Sequence, residues 1–163
     1  MKRKPNPLEA KRRDPQDLKR YFLAVAEFWM EAIRLQEKRC EMKHEGSRDF
    51  VADVIFYLVA VQHLREIARM ASERVGAAKA KAALDAFDQR WPKFKHLRDL
   101  IEHILPPESD PNAGHFGVSF LPGSIVDLRP GGEVEYLIDV RDANPSVEAL
   151  YKGVTEALQS GTT

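Results

Sequence analysis

The stretch "FVADVIFYLVAV", Phe50 to Val61, is the longest apolar run in the chain, and it decides the architecture. A helix through this run is apolar on almost every face, with Asp53 as the one charged residue. Such a helix is typical of the middle of a bundle, where neighbours cover it on several sides. The run has twelve residues, whereas a transmembrane helix needs about 20. We therefore expect a protein without membrane contact, in which this segment is the most buried.

Helical patterns lie on both sides of this run. Upstream, "DPQD" after position 13 supplies a capping aspartate, a first-turn proline and an acidic residue at the positive end of a helix. One apolar stripe follows at spacings of three and four, formed by Leu18, Phe22, Val25, Trp29 and Ile33. The second helix is expected from a cap near Ser47 to about Val75. We expect Trp29, Phe22, Phe56 and Tyr57 in the core, not on a stacking surface.

Two more helices are predicted before the chain changes character. An alanine-rich segment that ends at Trp91 forms the third, and Pro92 opens a fourth that ends at Leu105, before two prolines. Residues 14–105 then make up a helical bundle. Residues 1–13 form a basic arm with six lysines and arginines. This arm is either a contact for RNA, DNA or an acidic partner, or a frayed, flexible terminus.

The last third of the chain predicts strands followed by a helix. Residues 115–141 alternate between apolar and polar positions, with "PGGE" as a hairpin turn, so we expect a three-stranded antiparallel meander. Residues 144–159 form a C-terminal helix that begins at Asn144, before Pro145. The predicted fold class is α+β. It consists mainly of a bundle of four to five helices, with this small meander and the C-terminal helix in one domain, residues 1–163.

Charge and cysteine content exclude several classes of function. Lysine plus arginine and aspartate plus glutamate number 25 each, so the whole chain is not a simple polyanion binder. Cys40 is the only cysteine, which excludes an internal disulfide and a cysteine-based zinc site. The basic start leads into no apolar segment of the secretory kind, so we expect a cytoplasmic protein.

The segment "FKHLRDLIEHIL", Phe94 to Leu105, holds the candidate functional residues. At 100° per residue its leucines and isoleucines form a core stripe on one side. On the polar side Arg98 and His103 bracket a strip that contains Asp99 and Glu102. A ligand or a second subunit that lies along this strip would meet both basic groups.

The motif "RDLIEH", residues 98–103, resembles the signature of the HEPN superfamily (higher eukaryotes and prokaryotes nucleotide-binding). Its members are helical bundles, often dimeric, and many are metal-independent ribonucleases. The resemblance implies a catalytic site of Arg98, Asp99 and His103, completed by the same motif in a homodimer. It also implies an endoribonuclease of toxin or defence type, with RNA as substrate and an antitoxin-like protein as a further partner.

The chemistry of these residues suits RNA cleavage by the 2′-hydroxyl. His103 can accept or donate a proton near neutral pH. Arg98 can donate two parallel hydrogen bonds to phosphate oxygens. Asp99 would orient a side chain of the site, and Glu102 and His96 are the predicted binding residues beside it. No cofactor and no metal is expected.

Three alternatives stay open at this point. Arg98 can simply pair with Glu102 four residues on, which leaves His103 as a surface residue. His96, Asp99 and His103 share one flank and could bind a metal, but they span two turns and need a fourth ligand from the second helix. The alternative function is a non-catalytic helical module for protein–protein interaction.

Overall fold

The computed structural model describes residues 14–42, 48–92, 94, 117–121, 124–128 and 134–160. Four helices form its body: α1 (Pro15–Met42), α2 (Arg48–Val75), α3 (Ala78–Arg90) and α4 (Val140–Gln159). α1 packs on α2, α2 on α3, α3 on α4, and α4 closes the ring against α1 and α2. No helix in the described ranges is long and apolar enough to cross a bilayer.

The core lies between these helices because each carries an apolar stripe. Its largest fully buried side chains are Tyr57, Phe22, Phe87, Phe94, Met30, Ile33, Leu64 and Leu150. The stripe predicted for α1 is confirmed, since all five of its residues are buried or pack against the core. Gly76, between α2 and α3, has φ +67°, which a glycine adopts without steric cost, and the chain reverses there.

The predicted α+β class is wrong for the packed body of the protein, which is helical and contains no strand. All buried residues that the structure describes lie on the four helices, at Ala77 in the α2–α3 turn, or at Phe94. The packed body that the structure describes is therefore a four-helix bundle. The physical reason is that period-two patterning favours local pairing but does not specify what a sheet packs against.

Three short segments pair with one another. They are β1 (Gly117–Leu121), β2 (Ser124–Leu128) and β3 (Val134–Asp139), antiparallel in the order β1-β2-β3. β3 runs directly into α4.

The C-terminal helix begins four residues earlier than predicted. Asp139 is its cap, and the carboxylate accepts hydrogen bonds from the backbone N–H groups of Arg141 (2.8 Å) and Asp142 (3.3 Å). Pro145 therefore lies inside the helix. Asn144 is not the cap, because its side chain has a different partner, the hydroxyl of Tyr57.

Neighbours cover Phe50–Val61 on several sides, as expected, but the placement of Phe56 in the core is wrong. Asp53, Val54, Tyr57 and Val61 are buried, but Phe56 is 59% exposed and Val59 37% exposed. α2 has α1, α3 and α4 as neighbours, and these leave one side of it open. The predicted fourth helix, Pro92–Leu105, lies outside the described residues except for its first positions, and so does the arm 1–13.

Close packing of α3 on α4 depends on a glycine. A Cβ at Gly153 would overlap the Cβ of Ala83 on α3. We expect Gly153→Ala to lower the free energy of unfolding by about 1–3 kcal/mol, despite the roughly 1 kcal/mol that alanine adds to helix propensity. Urea denaturation measures this change.

The matched control for this prediction is the double variant Gly153→Ala with Ala83→Gly. It removes the overlap. Adding Gly153→Ala to the Ala83→Gly variant should therefore lower the free energy of unfolding much less than adding it to the wild type. A stabilising Gly153→Ala would contradict the close contact between α3 and α4.

Candidate interaction surface

The residues predicted to form a catalytic site lie outside the described part of the chain. These residues are Arg98, Asp99 and His103, with His96 and Glu102 beside them. The ribonuclease site therefore stays a prediction. Phe94, which precedes it, is described and buried, with its ring 5.4 Å from that of Phe87 and 5.5 Å from the Arg65 guanidinium.

An apolar stripe on α1 faces away from the core. It contains Tyr21, Phe28 and Leu35, which are 53%, 61% and 52% exposed. Their spacing of seven residues returns them to the same side of a helix, because two turns take about 7.2 residues. This side differs from the core stripe of Phe22, so α1 is apolar on two faces.

A second exposed stripe lies on α2 and adjoins the first. Phe56 and Val59 form it. His63 is also exposed, and it lies two turns after Phe56 and one turn after Val59 on the same side of α2. Trp29 joins the two helices: its ring stacks on His63 with centroids 4.1 Å apart and meets the Phe28 ring edge-on at 5.1 Å. We call the surface formed by Tyr21, Phe28, Leu35, Phe56 and Val59 the α1–α2 apolar face.

The outer sides of the other two helices have a different character. The exposed residues of α3 and α4 include Lys79, Lys81, Glu148, Lys152 and Glu156. Among the residues whose exposure the structure describes, all five exposed large hydrophobic side chains lie on α1 and α2. The apolar surface is thus concentrated on one side of the bundle. A contiguous patch of this kind typically marks an interaction site.

Contacts with α4 fix the rotation of α1 that turns this face outward. The guanidinium of Arg34 donates from Nε and Nη2 to the two carboxylate oxygens of Glu148, at 3.0 and 3.1 Å. It also lies 5.8 Å from the ring centre of Tyr151. The hydrogen bond and charge of Glu148 raise the pKa of Arg34. Two-point contact of this kind is directional, so it resists rotation of α1 about its axis.

Two polar contacts, each with one buried partner, tie α1, α2 and α4 together at the loop end of α1 and α2. The Tyr57 hydroxyl donates to Asn144 Oδ1 at 2.6 Å, and Arg39 Nη1 lies 3.6 Å from Asp53 Oδ1. Burial raises the pKa of Tyr57, and nearby Glu37 adds to the shift. Because each group contacts another helix, we interpret the cluster as structural. The described residues contain no group of three or more side chains that could hold a metal.

Comparisons with protein-family models, with curated proteins and with solved structures found no match. The HEPN resemblance therefore rests on the six-residue motif alone.

The α1–α2 apolar face was not anticipated from the sequence, which placed Phe56 in the core. A signal for it does exist, since Tyr21, Phe28 and Leu35 recur every seven residues outside the core stripe of α1. What this arrangement can do chemically is bury aromatic and aliphatic surface against another apolar surface.

Proposed function

We propose that this protein is a helical module for protein–protein interaction and that the α1–α2 apolar face is its docking surface. One observation carries the proposal: every large hydrophobic side chain that the structure describes as exposed lies on α1 or α2, within this face. The proposal corresponds to the non-catalytic alternative, and it requires nothing of the segment that contains Arg98 and His103.

The composition of the face favours a protein partner. Aromatic side chains are enriched where protein interfaces are most tightly packed, and a few of them supply most of the binding energy. Phe28 and Phe56 are well suited to that role because more than half of each is exposed. Trp29 holds Phe28 from behind through their edge-on contact, so little side-chain freedom is lost on binding.

Photo-cross-linking in cells that produce the full chain tests the proposal. A p-benzoyl-phenylalanine at Phe28 or at Phe56 should yield a discrete cross-linked product on irradiation, because a docked partner lies within reach of both. The same group at Ala82, an exposed position on α3, is the matched control and should yield none. Phe56→Glu in the same chain should abolish the product formed from position 28.

Two results would overturn the proposed function. One is the absence of any product from positions 28 and 56. The other is equal labelling from position 82, which would mean that contacts are random over the surface. Where a product does form from position 28 or 56, its mass identifies the protein that occupies the face.

A further inference from the structure

We propose that the occupant of the α1–α2 apolar face is a second copy of this chain. The two α1 helices run antiparallel, and Phe28 lies on the twofold axis between them. This inference rests on the proposed function and adds the identity and the register of the partner. It uses α1, not the segment that contains Arg98 and His103.

The exposed stripe of α1 is palindromic about Phe28. Its residues are Asp17, Tyr21, Ala24, Phe28, Ala32, Leu35 and Arg39, at successive spacings of 4, 3, 4, 4, 3 and 4 residues. All are exposed except Ala32, which is half-buried. At 100° per residue each lies within about 40° of Phe28 around the helix. The stripe reads the same in both directions by size: charged, large, small, large, small, large, charged.

A twofold axis through Phe28 converts this palindrome into a complementary contact. In an antiparallel pair, position i of one copy faces position 56 − i of the other. Phe28 then meets Phe28, and Tyr21 meets Leu35 on both sides of the axis. Ala24 meets Ala32, and the small side chains there let the two backbones approach. An interface with twofold symmetry has to be self-complementary in this way.

The charges at the ends of the stripe select the antiparallel direction. The same rule places Asp17 of each copy against Arg39 of the other, since 17 and 39 add to 56. Both side chains are open to solvent, 66% and 52% exposed. Arg39 lies 3.6 Å from Asp53 through Nη1, and its five donors leave room for a second carboxylate. A parallel pair would instead place Asp17 on Asp17 and Arg39 on Arg39.

The length and period of the stripe suit a stable interface. From Asp17 to Arg39 the helix rises about 33 Å, enough for a standard contact of roughly 800 Å² per partner. The seven-residue spacing of Tyr21, Phe28 and Leu35 is the period at which two helices pack at about 20°. Phe56 and Val59 on α2 flank this contact and extend the apolar area.

Sedimentation of the purified full chain tests the register. The wild type should be a dimer at micromolar concentration. Phe28→Asp places two like charges on the axis and should raise the dissociation constant at least ~100-fold. Asp17→Lys sets a lysine against Arg39 at both ends and should raise it about 10-fold, since about 1.4 kcal/mol corresponds to a factor of ten.

Asp85→Lys is the matched control, because it makes the same change of charge on the exposed side of α3. It should leave the dissociation constant within about twofold. In a parallel dimer Asp17→Lys exchanges one like-charged pair for another, so an unchanged constant for that variant would overturn the antiparallel register. Phe28→Asp and Asp17→Lys change exposed positions, and circular dichroism of each variant checks that it folds.

A wild type that stays monomeric at ~100 μM would overturn the second copy as occupant. If position 28 then cross-links to a protein of another mass, the proposed function survives while this inference fails. If position 28 cross-links to nothing, both fail. A cross-linked product of twice the chain mass, together with a dimer that Phe28→Asp dissociates, supports both.

Discussion

Phe22→Ala is expected to lower the free energy of unfolding by about 3–5 kcal/mol, the usual cost of removing a buried phenylalanine. Phe22 is 2% exposed and belongs to the core between the four helices. The truncation loses the transfer free energy of the ring and leaves a cavity. Urea denaturation of the wild type and of Phe22→Ala, monitored by circular dichroism, measures the difference.

Phe28→Ala is the matched control, on the same helix and with the same chemical change. Phe28 is 61% exposed, so its loss should cost less than about 0.5 kcal/mol in the monomer. The comparison is made at a protein concentration at which sedimentation shows a monomer, because any association would stabilise the folded chain by mass action. Equal losses for the two variants would contradict the orientation of α1.

Stability should fall at alkaline pH because of Tyr57. Burial raises the pKa of this phenol in the folded chain, whereas the unfolded chain releases the proton near pH ~10. Below that pH both states hold the proton, so ionisation of Tyr57 does not lower the free energy of unfolding. Above it only the unfolded state releases the proton, so the free energy of unfolding should fall by about 1.4 kcal/mol per pH unit. Urea titrations between pH 9 and pH 12 measure this slope.

Tyr57→Phe removes the ionisable group and should remove that part of the slope. At neutral pH it should also cost about 1–3 kcal/mol, because Asn144 Oδ1 loses the donor at 2.6 Å. Tyr21→Phe is the control, since Tyr21 is 53% exposed and its loss should leave the slope as in the wild type. An unchanged slope in Tyr57→Phe would assign the alkaline loss to other groups.

The helices near the apolar run were predictable because local signals define their ends. α2 was expected from about Ser47 to Val75 and spans Arg48–Val75. Pro15 favours the start of α1 and Gly76 favours the end of α2. Both act through local backbone chemistry and need no contact from another part of the fold. The start of α4 was predicted wrongly because two capping residues compete. Asp139 and Asn144 both have the right chemistry, and a contact with Tyr57, 87 positions away, decides between them.

Exposure was harder to predict than helix position. An apolar residue such as Phe56 carries the same local signal whether a neighbour covers it or not. The number of neighbours around α2 depends on where α4 packs, which no pattern within α2 specifies. For the same reason the alternation in residues 115–141 predicted strands but misjudged the class of the packed body. The motif at Arg98 and His103 specifies chemistry at most, and it carries no information about which side of α1 or α2 is exposed.

The distance along the chain between α4 and the helices it covers sets the order of folding. α1, α2 and α3 follow one another closely and can pack as they leave the ribosome, whereas Arg34 meets Glu148 across 114 positions. Closing so long a loop costs entropy before any contact offsets it. We therefore expect the seven buried residues of α4 to reach the core last. Until α4 packs, the core-facing sides of α1, α2 and α3 are open to solvent together with the α1–α2 apolar face.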